Sequence, residues 1–228
     1  MKFLKDVFNL FYPDICLSCN EQLTDNENTV CLTCRHDLPT TNFTFEASNI
    51  VEKIFYGRIP LVQATALFYF LKEGKIQQLI HNLKYKGQQQ VGTFTGNWLA
   101  HEMIESNRFK NIDVIIPVPL HKKKQNKRGY NQVTTFGKSL AANLDINYLE
   151  DFLIRVTNSK TQTKKSRFDR WKNVEQIFKI KNTETLENKH ILLIDDIITT
   201  GATLEACYLA LNKSKNIKIS IASIAYTK

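Results

Sequence analysis

Two groups of residues in this 228-residue chain have types and spacings suited to chemistry, and the more informative is the run Ile191-Leu192-Leu193-Ile194-Asp195-Asp196-Ile197-Ile198-Thr199-Thr200-Gly201-Ala202-Thr203. Four strand-type aliphatics lead through two consecutive carboxylates into a hydroxyl-rich turn at the start of a helical pattern. Backbone N–H groups at a helix N-terminus, helped by the hydroxyls of Thr199, Thr200 and Thr203, make a cradle for a phosphate monoester. Gly201 permits close backbone approach, and Ala202 opens the helix. Adjacent acids would repel a phosphate at their own position, but they suit a diol or a hydrated magnesium ion a few ångströms away. The run therefore reads as a sugar-phosphate site, with hydroxyls at Asp195 and Asp196 and phosphate in the turn. A plainer role, with Thr200 or Thr203 as a helix cap and the aspartates as solvated loop residues, gives no reason for paired acids after four buried-type aliphatics.

The second group is Cys16-x-x-Cys19, eleven intervening residues, then Cys31-x-x-Cys34. That is the spacing of two knuckles converging on one tetrahedral zinc. Four thiolates close the shell and leave no place for an activated water, so the site reads as structural, with about 10–16 kcal/mol of binding energy serving as folding energy. With four sulfurs already present, His36 reads as a surface residue, and Cys207, far downstream, as part of the core.

The elements that must position these groups follow from apolar periodicity. Val62, Ala64, Ala66, Phe68 and Phe70 share one parity and predict a strand, while Ile76, Leu79, Ile80 and Leu83 have helix spacing. Helices are also predicted through Phe94–Met103, Val133–Leu144 and Ala202–Leu211. Strands are predicted at Asp113–Leu120, Leu153–Val156, Ile191–Ile194 and Ile217–Tyr226. Alternating strands and helices predict an α/β fold with a mostly parallel sheet flanked by helices, whose ligands sit beyond the carboxyl ends of the strands. The lysine-rich segments 122–128 and 160–172 fall between these elements. Residues 1–42 are expected to form an N-terminal helix and the cysteine module, and residues 43–228 the α/β domain.

Composition narrows the class. The apolar stretch Phe3–Phe11 is broken by Lys5, Asp6 and Asn9, so it predicts an amphipathic helix stopped by Pro13, with no export signal and no membrane insertion. Paired Cys-x-x-Cys motifs point to a reducing, cytoplasmic setting. A formal charge of +9 favours anionic partners, either nucleic acid or phosphorylated metabolites.

The acidic-threonine run resembles the signature of the type I phosphoribosyltransferases. Within that superfamily, nearly the whole chain is similar to the ComF/GntX family. That similarity is carried by the cysteine pairs, His81-x-Leu83-Lys84-Tyr85-Lys86-Gly87, Ile116-Pro117-Val118-Pro119-Leu120, Arg128-Gly129-Tyr130-Asn131-Gln132 and the spaced set Gln162, Arg170, Asn173, Val174 and Phe178. The resemblance implies a type I phosphoribosyltransferase-like sheet that binds phosphoribosyl pyrophosphate with magnesium. Asp195 and Asp196 would contact the ribose hydroxyls, and Thr199 to Thr203 would hold the 5-phosphate. It implies a pyrophosphate loop at Pro117 and Val118, where two prolines remove donors, so charge must come from side chains. Arg128 is the best candidate because a guanidinium grips phosphate bidentately. The basic segment Thr161–Arg170 would be a flap that brings Arg167 and Arg170 to the pyrophosphate. Glu175-Gln176-Ile177 departs from the family pattern, in which a glycine is common.

The same resemblance links the chain to DNA uptake and natural transformation, with a competence-machinery protein as a partner. Lys122–Arg128 followed by Tyr130, and Lys160–Arg170 followed by Trp171, interleave charge with rings as single-stranded DNA surfaces do, which is the competing, non-catalytic reading. Nothing in the residues spells out the acceptor of a transferred ribosyl group.

Overall fold

A computed structural model describes residues 13–156 and 177–227. The expected first helix, the flap with Arg167 and Arg170, and the motif residues Gln162, Asn173, Val174, Glu175 and Gln176 lie outside the described residues. The main sheet has five strands, β1 (Gln63–Phe70), β2 (Val114–Pro117), β3 (Asn147–Tyr148), β6 (His190–Ile198) and β7 (Lys218–Thr227), in the spatial order β1-β7-β6-β2-β3. Every pairing is parallel. The short strands β4 (Leu153–Arg155) and β5 (Phe178–Ile180) pair antiparallel with each other, outside this sheet.

Helices cover both faces, which is why the central strands are apolar on both sides. On one face, Ile115, Leu192 and Ile194 pack under α3 (Lys75–Tyr85), α4 (Gln90–Ser106) and α6 (Thr134–Leu144). On the other, Ile116, Ile191 and Leu193 pack under α2 (Ile50–Ile54), α7 (Ala202–Leu211) and the β4–β5 hairpin. Helices α4 and α6 approach closely at Gly96, where an added Cβ would stand 2.6 Å from the Phe136 carbonyl oxygen. Among the described residues, no helix is long and apolar enough to cross a membrane.

The lysine-rich segment 122–128 is not a connection between elements, as its composition predicts, but the helix α5 (Lys122–Arg128). The physical reason lies at its ends. The His121 ring accepts from the Lys123 amide at 3.2 Å, and Gly129, at φ +78°, closes the helix with its N–H on the Gln125 carbonyl. Long unbranched side chains between two such caps lose little freedom in a helix.

The cysteine segment carries the short helix α1 (Leu32–Asp37) and contributes Leu17, Val30 and Leu38 to the same apolar cluster as α3 and α4. Asn82 of α3 donates to the Leu17 carbonyl at 2.7 Å. Lys75, at the other end of α3, pairs with Asp37 at 2.8 Å. Residues 39–41 run along β1, with Tyr69 donating to the Pro39 carbonyl and Thr41 to that of Leu67. This arrangement covers what would be an open sheet edge.

Candidate functional site

In this sheet the chain leaves β2 toward β3 on one side and leaves β6 toward β7 on the other. The carboxyl ends of β2 and β6 therefore flank the point where the strand order reverses, the place where such sheets form a crevice. The sequence motifs meet here. Strand β6 runs through Asp195 and Asp196, the turn Thr199–Gly201 follows, and α7 begins at Ala202. Thr199, Thr200, Ala202 and Thr203 are exposed at this rim.

Gly201 is left-handed at φ +72°, and a Cβ there would lie 2.6 Å from the Phe55 ring, so both backbone and packing require glycine. The turn is bolted from outside by Arg58, which donates to the Thr200 carbonyl at 2.7 Å and to the Glu205 carboxylate at 3.1 Å. Sequence patterning gives no sign of Arg58, because it is a lone arginine in a polar stretch whose partners lie 142 and 147 residues away.

Asp196 is 7% exposed and is held on a single oxygen. Its Oδ2 lies 2.8 Å from the Lys84 ammonium and accepts from the Gln132 amide at 2.6 Å. Gln132 in turn accepts from Arg128 at 2.8 Å, and the Arg128 guanidinium lies 5.0 Å from the Tyr85 ring centre. Three stretches that the sequence shows as separate motifs thus form one network: the end of α3, the Arg128–Gln132 turn and the acidic pair. The motif pattern marked Lys84 and Gln132 without giving them a role. The structure makes them the partners of Asp196.

Asp195 is half-buried and its carboxyl is pushed up to about 8, first by loss of water and then by the charge of Asp196, with Lys84 and Arg155 pulling the other way. Arg155 on β4, its guanidinium 5.6 Å from the Phe178 ring centre, is a further charge near the pair that the sequence did not single out.

At β2, the Val118 N–H is spent on the Ile194 carbonyl at 2.9 Å, and the Val118 carbonyl accepts from Asn131 at 3.0 Å. The Pro117-Val118-Pro119 turn is therefore pinned and offers no free amide from Val118. Lys122, Lys123, Lys124 and Lys127 stand exposed on α5 beyond it. Arg170 is outside the described residues.

The four cysteine sulfurs lie within 4.8 Å of one another and form no disulfide. The Cys19 and Cys31 sulfurs are 3.9 Å apart. Four thiolates at about 2.3 Å from one metal ion would stand close to that distance from each other. Backbone amides already point at these sulfurs, from Ser18 and Cys31 to Cys16 and from Cys34 to Cys31. The donor set fits a closed tetrahedral metal site. His36 is exposed and Cys207 is fully buried, as their positions in the sequence predict.

The family model for the phosphoribosyl transferase domain matches residues 134–228. "Competence protein F" of Haemophilus influenzae is 30% identical over 151 residues, which is 64% of this chain and 66% of that protein. "DNA utilization protein YhgH" of Escherichia coli K12 is 24% identical over 83% of this chain and 80% of its own length. "Competence protein ComFC" of Bacillus subtilis is 41% identical over 47% of this chain and 42% of its own length. Among solved structures, an adenine phosphoribosyltransferase aligns at 16% identity over 66% of this chain and 74% of its own, with a TM-score of 0.39. The chain therefore carries a phosphoribosyl transferase domain and is a homologue of Competence protein F, ComFC and YhgH.

Proposed function

We propose that the crevice between β2 and β6 binds phosphoribosyl pyrophosphate together with magnesium, and that the protein transfers the 5-phosphoribosyl group to an acceptor during the handling of DNA taken up by the cell. One observation carries this reading: the paired carboxylates of Asp195 and Asp196 end a buried parallel strand directly before a glycine-pinned threonine turn at a helix N-terminus. The hydroxyls of the ribose fall to the two aspartates and the 5-phosphate to the Thr199–Thr203 turn. The pyrophosphate falls to Arg128, because the Val118 amide is already used.

Magnesium, when bound with the substrate, neutralises charge on the leaving pyrophosphate. The chain's own residues orient the ribose and hold the pyrophosphate while the bond from the anomeric carbon to oxygen breaks, the electron pair leaving with pyrophosphate. The acceptor's nucleophile then forms the new bond to that carbon. Catalysis rests on positioning and charge neutralisation, without a covalent intermediate on the protein. The cysteine cluster is assigned structural zinc by the same reasoning of fit.

Calorimetric titration with phosphoribosyl pyrophosphate, with and without magnesium, tests the reading. Magnesium-dependent binding that Asp196→Asn abolishes in a folded protein supports it, and unchanged affinity in that variant refutes the assignment.

A second reading rests on α5, whose four lysines are all exposed while Arg128 is stacked on an exposed tyrosine. This surface suits single-stranded DNA, and the names of the relatives agree with it. Binding that falls steeply with salt and drops on charge reversal of Lys122 and Lys123 is the expected result.

A further inference from the structure

A recess of about 340 Å³ opens beside the acidic pair, walled by Lys84, Tyr85, Lys124, Lys127, Arg128 and Tyr130. Its volume is near the lower end of the range of ligand sites, about 300–1,000 Å³, enough for one ring-and-phosphate unit but not for a large cofactor. Four cationic side chains converge there and no carboxylate shares the wall. Among the described residues, Lys84 is the one of the four with a carboxylate partner within ion-pair distance, namely Asp196 outside the recess. The other three cations, gathered without a carboxylate among the described residues, favour an anion.

One of the two rings is exposed and the other is half-buried at the wall. Tyr85 is 65% exposed, yet it is flanked by the Arg128 guanidinium at 5.0 Å and the His81 ring at 5.2 Å. The Tyr130 hydroxyl donates to the Leu83 carbonyl, which fixes the direction of that ring. Fixed, accessible rings beside cations are the elements by which proteins hold a base and its phosphate.

We propose that this recess is a binding site for one nucleoside phosphate unit, free or within a single strand. Its base lies against Tyr85 and Tyr130, and its phosphate lies on Lys124 and Lys127. The proposal rests on the strand-binding reading of α5 and adds a defined pocket to what charge alone would give. Because Lys84 and Arg128 also belong to the network around Asp196, the bound unit sits next to the proposed ribose site.

The test uses the full-length, metal-loaded protein and two probes: thymidine 5′-monophosphate by calorimetry and a labelled short oligothymidylate by fluorescence anisotropy. Tyr85→Ala and Lys127→Glu alter the recess, while Lys123→Glu alters the same helix outside it. The expected result is that Tyr85→Ala lowers affinity about tenfold or more for each probe that binds. Loss confined to the strand identifies the strand as the source, whereas mononucleotide binding that Tyr85→Ala lowers in a protein that binds no strand identifies a free nucleotide and removes the strand reading. Strand binding that falls with Lys123→Glu but is untouched by Tyr85→Ala overturns the recess while leaving the strand reading in place. Absence of binding by either probe overturns both. Titration of Asp196→Asn with phosphoribosyl pyrophosphate, run separately, reports on the ribose site, because Asp196 does not line the recess.

Discussion

The four cysteines come from nineteen consecutive residues, three of them buried, whereas Asp196 is served by side chains 112 and 64 residues away in sequence, Lys84 and Gln132. The first site is closed, with amides aimed at its sulfurs and no place for water. The second is open at the rim, with an exposed threonine turn and one half-buried carboxyl pushed up by its neighbour. A structural metal centre needs only a short chain and correct spacing. A ligand site needs rigid partners delivered by elements that pack for other reasons. Helix α3 joins the two: Asn82 is bound to the cysteine segment, and Lys84, two residues on, pairs with Asp196. The cysteine segment therefore helps to position the cation at the acidic pair.

The largest way to break this comparison is to open the closed site. Cys31→Ser, or a strong chelator, should unfold the segment around residues 14–38. The binding energy of a structural zinc, about 10–16 kcal/mol, matches or exceeds the whole stability of a typical domain, about 5–15 kcal/mol. Circular dichroism melting with parallel metal analysis checks it, and a melting curve indifferent to the chelator would count against a structural metal. Through α3, the same loss should weaken binding of phosphoribosyl pyrophosphate.

Next in size is Gly201→Ala, which combines a strained backbone with a clash against Phe55. A cost of about 3 kcal/mol is expected, read from the shift of the urea midpoint. Lys84→Met should follow at about 2 kcal/mol. This is below the roughly 3–5 kcal/mol of a fully buried pair, because the side chains keep 17% and 10% exposure and Gln132 still serves Asp196. An unchanged midpoint would mean that the ion pair contributes nothing to the fold.

The remaining test varies pH. Folded Asp195 keeps a proton that the unfolded chain releases near its ordinary 3.8, the folded value being about 8. Its stabilising contribution is complete below the ordinary value and is lost as pH rises through the folded one. Asp195→Asn should therefore flatten the fall in stability between those limits and leave the variant more stable than the parent at pH 8, while removing ligand binding. A pH series of denaturation midpoints with parallel slopes for the two proteins would contradict the raised carboxyl.

The sequence by itself determined the α/β alternation, the bounds of α7, and the cysteine cluster, because each is written in local spacing. Apolar period, a glycine at a turn and paired Cys-x-x-Cys need no knowledge of distant residues. It also displayed the acidic pair and the threonine turn in their correct order. Only the tertiary structure decided that β4 and β5 leave the main sheet, that the lysine run is a capped helix, and that Lys84, Gln132 and Arg58 serve the site. These outcomes depend on long-range partners whose sequence separation leaves no periodic trace. Charge gives no direction: a lysine at the end of an amphipathic helix looks the same whether it meets water or a buried carboxylate, and only the packing of α3 and α6 against β6 decides which.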